Sequence, residues 1–211
     1  RVMGFDQFAL FEEKETRLVL EDRGSVRLEE TPENYVIVSD RIRYCFGKKK
    51  AAFVSMEKDG AALIEKPVEW CIFRAPVDND MHCRRAWQEA GYDRPGIKVY
   101  EQSAQTDGKT VKLRYRFSIA SAYRQPYLRA EAEWEVNGDG GVKLVTDAKK
   151  DKNFPYLPRF GITLTLPKEA RQVSYFGYGP YESYQDKHRA SWMDRFETTV
   201  SELQEDYIKP Q

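Results

Sequence analysis

Little in this sequence points to a membrane, a nucleic acid or a transport signal. Lys and Arg number 34 and Asp and Glu number 34, so the net charge is zero, and no overall positive field attracts nucleic acid or an anionic membrane. No apolar run approaches the roughly 20 residues that a membrane-spanning helix needs, and residues 1–10 lack the apolar core of a signal peptide. We therefore expect neither nucleic acid nor membrane among its partners.

Cysteine and histidine are also scarce. The three cysteines, Cys45, Cys71 and Cys83, cannot all pair and show no C-x-x-C spacing, which is typical of unpaired thiols in a reducing compartment. This favours a cytoplasmic location, with a periplasmic one as the alternative. His82 and His188 are the only histidines, so histidine-based metal sites and acid–base mechanisms have few residues to use. Nucleophile-elbow, Walker-type and dinucleotide-binding motifs are absent.

The sequence does contain repeated polar–apolar alternation of period two, the mark of strands with one buried face. Residues 111–119 and 128–136 are the longest such runs, and residues 137–141 (NGDGG) have the composition of a hairpin turn. Further strands are predicted over 35–38, 42–46, 52–56, 142–146 and 162–166, with possible edge strands over 5–10, 16–20 and 25–28. Only residues 83–90, followed by Gly91, are predicted to be helical. The pattern predicts an all-β fold, an antiparallel sandwich of many strands.

The first 30 residues differ from the remainder because they carry few apolar residues. They end in the charged run 29–33 (EETPE), which we interpret as a linker. Residues 1–30 are therefore predicted to be the tail of a preceding domain with its linker, and residues 31–211 to form the main domain. With 211 residues the chain is long enough to bury one large β domain without disulfides or metal.

Two segments combine residues suited to binding. Residues 73–80 (FRAPVDND) place a cation, a proline and three oxygen-bearing side chains together. Carboxylates and amides match sugar hydroxyls and hard cations alike, so this loop is a candidate binding site. The alternative is an Asx-turn network that caps the loop, with Arg74 paired internally.

Residues 175–189 mix aromatic, glycine and charged residues. Aromatic faces pack against the C–H faces of sugars, which favours carbohydrate binding. The alternative is structural: Gly177 and Gly179 permit a tight loop that buries Tyr178 and Tyr181 in the core.

Carboxylates in the same region raise the question of catalysis. Glu182 with Asp186, or Asp186 with Asp194, could be proposed as the paired carboxylates of a glycosidase. Such pairs are expected by chance among 34 acidic residues, so we predict no catalytic residue within the chain.

Six segments, in order, resemble the C-terminal, small-chain region of β-galactosidases of glycoside hydrolase family 2. The segments and the family patterns they resemble are 4–10 (GFDQFAL; EQF-L), 73–80 (FRAPVDND; RAP-DND), 87–92 (WQEAGY; W--AG), 157–161 (LPRFG; PR-G), 178–187 (YGPYESYQDK; GP-ENYPDR) and 207–211 (YIKPQ; YI-PQENG). The sequence departs from the patterns at Val77, usually Thr or Leu, at Ser183, usually Asn, and at Gln185, usually Pro.

The resemblance implies a fold and a division of labour. Residues 1–30 would end an immunoglobulin-like β-sandwich, and residues 31–211 would form most of a large antiparallel supersandwich of the galactose-mutarotase-like type. The family pattern continues past Gln211, so the chain is expected to be a fragment. The catalytic glutamates and the magnesium ligands of the family lie in an upstream barrel, so no cofactor is expected in this segment and magnesium is expected in the complete enzyme.

The expected role is therefore non-catalytic: shaping the pocket rim of an enzyme that hydrolyses terminal β-D-galactosides with retention, and supporting domain and subunit packing in a homo-oligomer. The residues expected to lie near the substrate are Arg74, Asp78, Asn79, Asp80, Trp87, Gly91 and Tyr92. Residues 178–186 are expected to be structural.

Two rival functions remain at this stage. A self-standing aldose epimerase of the mutarotase type shares the sheet architecture and would use a histidine acid with a carboxylate base, so it would require His82 or His188. A carbohydrate-binding or oligomerising module would use the aromatic loops as platforms without turnover.

Overall fold

The computed structural model describes residues 6–8, 10, 19–21, 24–183 and 188–204. The described residues divide into two compact units: a large unit within 19–167, and a small unit of residues 6–8 and 10 with 168–183 and 188–204. The elements are β1 (Arg27–Glu30), β2 (Asn34–Val38), β3 (Ile42–Gly47), β4 (Ala52–Lys58), β5 (Ala61–Ala62), β6 (Lys66–Cys71), α1 (Arg84–Ala90), β7 (Gly96–Thr106), β8 (Thr110–Ala120), β9 (Leu128–Asn137), β10 (Val142–Lys150), β11 (Gly161–Thr165), β12 (Gln172–Gly179) and β13 (Trp192–Thr199), with one turn of 3-10 helix at Asp78–Asp80.

The large unit is built from antiparallel sheets. One sheet has the strand order β1-β2-β3-β4-β5, a second has the order β10-β9-β8-β7, and β11 pairs with β6. Every strand pair is antiparallel. The predicted all-β, antiparallel sandwich class is confirmed, and the assignment to a supersandwich stays a prediction. Among the described residues no helix is long and apolar enough to cross a membrane.

Aromatic side chains from both sheets fill the core of the large unit. Phe46 and Phe53 of the first sheet contact Trp134 of the second, with ring centroids 5.6 and 5.2 Å apart, and Phe46 also lies 5.2 Å from Tyr115. All four rings are at least nine-tenths buried. Burial of large aromatic surface together with edge-to-face packing is a major source of stability, and it fixes the two sheets face to face.

Local sequence signals located several elements correctly. The 137–141 segment forms the predicted turn between β9 and β10: Gly140 has a φ of +87° and donates its N–H to the Asn137 carbonyl at 3.1 Å. The predicted helix is α1, and Gly91 takes the left-handed conformation directly after it.

One local prediction was wrong, and another was confirmed only in part. The charged run 29–33 is not a linker: Glu29 and Glu30 lie in β1, which pairs with β2, and the Thr31 hydroxyl accepts a hydrogen bond from the Asn34 N–H at 2.9 Å in the hairpin turn. The strand predicted over 162–166 is present as β11 (Gly161–Thr165), but its alternation does not place three residues on one buried face. A register irregularity between Thr163 and Thr165 interrupts β11, and Leu164 and Leu166 are about half exposed. The assignment of residues 1–30 to a preceding immunoglobulin-like domain stays a prediction.

The small unit contains a two-stranded antiparallel sheet. β12 pairs with β13 along their whole lengths, and Tyr175 packs on Phe196 with centroids 5.3 Å apart. The Gln7 side chain adds to this hairpin, since its amide donates to the Met193 carbonyl at 2.8 Å and accepts from the Met193 N–H at 2.7 Å. Gly179 sits against Tyr175 and Phe196 so closely that an added Cβ would lie 2.4 Å from the tyrosine oxygen.

Candidate functional site

The loop of residues 73–80, here called the RAP loop, follows β6 and ends in the single 3-10 turn before α1. Its anchor is an ion pair between Arg74 and Asp80. The guanidinium contacts both carboxylate oxygens, with Nη2 to Oδ1 at 3.1 Å and a shorter contact from Nη1 to Oδ2. Asp80 Oδ2 also accepts a hydrogen bond from the Val77 N–H at 2.8 Å. The carboxylate at the end of the loop is thus tied to Arg74 near its start and to Val77 in its middle.

This pair is mostly withdrawn from solvent. The Asp80 side chain is 8% exposed and the Arg74 side chain 29% exposed. Hydrogen bonding to Arg74, assisted by the Val77 N–H, holds the pKa of Asp80 below its usual range despite the opposing effect of burial. The sequence-based alternative in which Arg74 pairs internally is therefore what the structure contains.

Trp87 of α1 lies under the loop. Its ring is fully buried, its Nε1 donates to the Tyr156 carbonyl at 3.0 Å, and the Arg74 guanidinium carbon lies 5.5 Å from its centroid. The Tyr156 ring meets it edge-to-face at 5.4 Å. A cation over an indole face is favourable when the pair is partly desolvated, so Trp87 supports Arg74 from below.

Gly91 and Tyr92 carry the chain out of α1 through a buried junction. The Tyr92 hydroxyl donates to the Pro155 carbonyl at 2.7 Å, and its ring packs edge-to-face on Tyr127 at 4.8 Å. Burial raises the pKa of Tyr92 to about 12. Both residues therefore hold α1 against neighbouring segments and do not present polar atoms outward.

Two separate features of the structure favour glycine at position 91. Its φ is +75°, and a Cβ placed on it would lie 2.7 Å from the Ser121 Cβ and 2.5 Å from the Ser121 oxygen, which bonds the Ala90 carbonyl at 3.1 Å. Gly60 has a similar φ of +78° but open space around it. A substitution at Gly60 therefore measures the cost of the backbone conformation alone, without a steric clash.

We expect Gly60→Ala to lower the free energy of unfolding by about 1–2 kcal/mol, because a left-handed conformation disfavours any side chain. Gly91→Ala is expected to cost about 1 kcal/mol more, because the added methyl overpacks the Ser121 contact. Urea unfolding of both variants measures this difference. Equal losses in the two variants would contradict the steric contribution, and Gly91→Ala combined with Ser121→Gly should recover the excess.

Asp78 and Asn79 differ from the residues that anchor the loop. Both are exposed, and within the described part of the chain no hydrogen bond or ion pair engages either side chain. They stand at the start of the 3-10 turn whose last residue is the buried Asp80. Their acceptor and donor groups are therefore available to a ligand, while the backbone that carries them is held in place.

The structure brings together Arg74, Asp80 and Trp87, presents Asp78 and Asn79 at the tip, and buries Gly91 and Tyr92 below. Sequence reasoning missed two members of this cluster. The Cys83 thiol donates to the Asp80 carbonyl at 3.3 Å, and the Tyr156 hydroxyl bonds Cys83 Sγ at 2.9 Å. Hydrogen bonding to Cys83, followed by desolvation, raises the pKa of Tyr156. The 157–161 motif, which begins directly after Tyr156, was the available signal.

Residues 175–189, the other candidate segment, differ from the prediction that their tyrosines are buried in the core. Tyr178 and Tyr181 are 53% and 57% exposed, so the prediction that they are buried is wrong. Gly177 and Gly179 lie within β12. The pairing of β12 with β13 leaves the Tyr178 ring exposed and 6.4 Å from the His188 ring. Residues 184–187, including Asp186, lie outside the described residues, as do residues 207–211 and most of the 4–10 segment.

The described ranges contain unpaired thiols but no cluster of metal-ligating side chains. No group of three or more His, Cys, Asp or Glu side chains there could hold a metal ion. Cys45, Cys71 and Cys83 are unpaired and half-buried, and desolvation raises the pKa of the Cys45 thiol. His82 is exposed.

Comparisons with a family model and with individual proteins point to the same family. A family model described as beta galactosidase small chain matches residues 38–211. A β-galactosidase of Actinobacillus pleuropneumoniae is 35% identical over 213 residues, covering 99% of this chain and 21% of the relative. A β-galactosidase of Staphylococcus xylosus is 36% identical over 168 residues, covering 80% of this chain and 17% of the relative.

The chain thus spans about a fifth of the length of the relatives it matches. The family model covers far more than half of the chain, including the RAP loop, α1 and the segment of Tyr156. By these matches and by its antiparallel β architecture, the chain belongs to the β-galactosidase small chain family.

Proposed function

We propose that this chain is a non-catalytic segment of a family 2 β-galactosidase that hydrolyses terminal β-D-galactosides with retention, and that the RAP loop supports the rim of the substrate pocket. The observation that carries the proposal is the contrast within the loop. Asp78 and Asn79 are exposed and unengaged among the described residues, while Asp80 is clamped by Arg74 and the Val77 N–H.

A rim of this kind suits a sugar. Each sugar hydroxyl both donates and accepts a hydrogen bond, so a carboxylate beside an amide offers complementary partners to neighbouring hydroxyls. Pre-organisation lowers the entropic cost of binding, and the Arg74–Asp80 pair supplies it by fixing the backbone below the tip. The exposed ring of Tyr156 lies on the same cluster and offers an apolar face.

The catalytic carboxylates of the complete enzyme would lie in another part of it, close enough together for a covalent glycosyl intermediate. Magnesium would be held there as well. In this proposal the small chain contributes to domain and subunit packing of a homo-oligomer, in the cytoplasm or, alternatively, the periplasm. The names and lengths of the matched relatives support this division of labour.

The test uses the complete enzyme that carries this chain and a chromogenic β-galactoside. Replacing Asp78 and Asn79 together with alanine is expected to lower kcat/KM by about tenfold or more, since a lost hydrogen bond to a charged group is worth about 1.5–3 kcal/mol. Thermal stability should stay the same because neither side chain has a described partner. Gln88→Ala, exposed on α1, is the matched control and should leave kcat/KM unchanged.

Two outcomes would contradict the proposal. An unaltered kcat/KM in the Asp78 and Asn79 variant would remove the loop from the pocket rim. Hydrolysis by the 211-residue chain alone would overturn its non-catalytic role and would direct attention to Glu182, Asp186 and Asp194.

A further inference from the structure

The outer face of the four-stranded sheet violates a rule of strand pairing at two adjacent positions. On β9 and β10, Arg129 lies directly opposite Lys149, and Glu131 lies directly opposite Asp147. Like charges at directly opposed positions destabilise a sheet. Exchanging the two β10 residues would have produced two attractive pairs with the same composition, so local stability does not account for this arrangement.

Charges elsewhere on the same face follow the rule. Glu135 bonds Lys112 at 2.8 Å and lies opposite Lys143, whose Nζ is 3.3 Å away, and Arg114 contacts Glu133 on the neighbouring strand. In the described ranges, by contrast, no ion pair engages Arg129, Glu131, Asp147 or Lys149. Hydrogen-bonding capacity is therefore left open at these four side chains, beside a region of the same face whose charges are paired.

These four side chains line a surface cleft with a volume of about 600 Å³, together with Tyr100 and Arg116. The volume falls within the range of small-molecule sites. A β-bulge places Tyr100 at this cleft, because the register of β7 against β8 shifts between Val99 and Glu101. A bulge re-aims side chains, and here Tyr100 and Glu101 both face outward.

Tyr100 is held in place without being buried. Its hydroxyl bonds the buried Ser118 hydroxyl at 3.0 Å, and its ring remains 48% exposed. Ser118 lies opposite Arg129, which lies opposite Lys149. The tyrosine ring, the two cations and the neighbouring pair of carboxylates thus lie in two adjacent rows across the sheet.

The chemistry of this cleft matches a neutral polyhydroxylated ring. Arg129 and Lys149 can only donate hydrogen bonds, and ionised Glu131 and Asp147 can only accept them, so vicinal hydroxyls find both kinds of partner. Arg116, which also lines the cleft and lies opposite Glu131 on β8, contacts Glu101, so its charge is balanced outside the cleft. The other four charges sum to zero, which leaves no strong preference for an anion or a cation. Lys98 Nζ lies 5.3 Å from the centroid of the Tyr100 ring, and the part of the ring that remains exposed suits the C–H face of a sugar.

We propose that this cleft, formed by Tyr100, Arg129, Glu131, Asp147 and Lys149, is a binding site for a neutral saccharide. Local rules of stability are commonly broken at functional sites, and the opposed like charges are such a case. The site belongs wholly to the large unit and makes no use of the RAP loop, so it stands or falls separately from the function proposed above.

The decisive variant exchanges the two β10 charges, Asp147→Lys with Lys149→Asp. Net charge and composition stay the same, each opposed pair becomes attractive, and the melting temperature should rise. The probe is thiodigalactoside, whose thioether link resists hydrolysis, added to the complete enzyme. Hydrogen–deuterium exchange should show protection of residues 96–106 and 142–150 in the wild type, and equilibrium dialysis should show a class of sites that the exchange variant lacks.

Two further variants complete the design. Tyr100→Ala should weaken binding at this site at least tenfold while leaving the strand charges intact, and it keeps the test decisive if the exchange variant folds poorly. Val145→Ala, on the exposed outer face of β10 but outside the cleft, should bind as the wild type does. Absence of protection in the wild type, or undiminished binding in both cleft variants, would overturn the site. Loss of galactosidase activity bears only on the RAP loop proposal.

Discussion

Arg74→Ala is expected to lower the free energy of unfolding by about 3–5 kcal/mol, because it leaves the buried Asp80 carboxylate without its counter-charge. Asp80 is 6% exposed and, among the described residues, would keep only the Val77 N–H and its weak contact with the Cys83 thiol. Removing one member of a buried pair is more damaging than replacing both with apolar residues. Urea unfolding monitored by near-ultraviolet circular dichroism measures the loss.

The loss of stability in Arg74→Ala is also expected to depend on pH. The lowered pKa of Asp80 means that its contribution to stability is complete above the unfolded-state value of about 3.9 and is lost as pH falls through the folded-state pKa. Without Arg74, burial favours the protonated carboxyl, which needs no cation. The difference in stability between the wild type and Arg74→Ala should therefore be largest near neutral pH and shrink in acid.

Arg85→Ala is the matched control for this prediction. Arg85 pairs with Glu89 one turn along α1, and both side chains are well exposed. Helical pairs of this type contribute about 0.3–0.5 kcal/mol, so the control should be close to the wild type. A loss in Arg74→Ala no larger than that of the control, or one independent of pH, would contradict the role assigned to the buried pair.

Trp87→Ala is expected to cost about 3–5 kcal/mol, as large-to-small changes of a fully buried aromatic residue do. The variant loses the contacts of the ring with Tyr156 and Arg74, and it leaves the Tyr156 carbonyl without the indole donor. In the complete enzyme the proposed function adds a second consequence: kcat/KM should fall, because the RAP loop loses its support.

The measurement pairs unfolding of the chain with kinetics of the complete enzyme. Trp87→Phe keeps part of the buried surface but loses the Nε1 donor, so its stability should lie between the wild type and Trp87→Ala. Tyr123→Ala, at a fully exposed aromatic position, should change neither quantity. If Trp87→Ala were as stable as Tyr123→Ala, the packing of α1 beneath the loop would be wrong.

Much of the main sandwich was predictable because its strands follow local rules. Apolar and polar residues alternate strictly over 111–119 in β8 and over 128–136 in β9, and the Asn-Gly-rich turn after β9 needs a positive φ that glycine supplies. α1 could be located because Gly91 ends it in the left-handed conformation. In each case the signal lies within a few residues of the structure that it specifies.

β7 shows why other strands were missed. Its bulge at Tyr100 reverses which residues face inward: Ile97 and Val99 pack on the core before it, and Ala104 packs after it. A single period of two therefore cannot describe the strand. The β12–β13 hairpin escaped prediction for a related reason, since it leaves Phe176 and Tyr178 exposed and shows no polar-out pattern.

Only part of the candidate site could be predicted from the sequence. The residue types of the RAP loop marked it as a polar segment, and the resemblance to a known family singled out seven positions in the loop, in α1 and directly after α1. Nothing local distinguishes Asp80, which is buried and paired, from Asp78, which is exposed two residues earlier. That difference arises from Arg74, Trp87 and Tyr156, which meet only when the 73–80, 84–90 and 154–157 segments pack together.

Sequence alone therefore specified the all-β class, the main turn, the helix α1 and the family, because alternation, glycine conformation and ordered motifs act over short distances along the chain. Tertiary packing assigned the roles. It paired Arg74 with Asp80, left Asp78 and Asn79 open to a ligand, and set Arg129 opposite Lys149 and Glu131 opposite Asp147. Burial and charge pairing depend on neighbours that are distant in sequence, and the strand register that selects those neighbours follows from the packing of whole sheets.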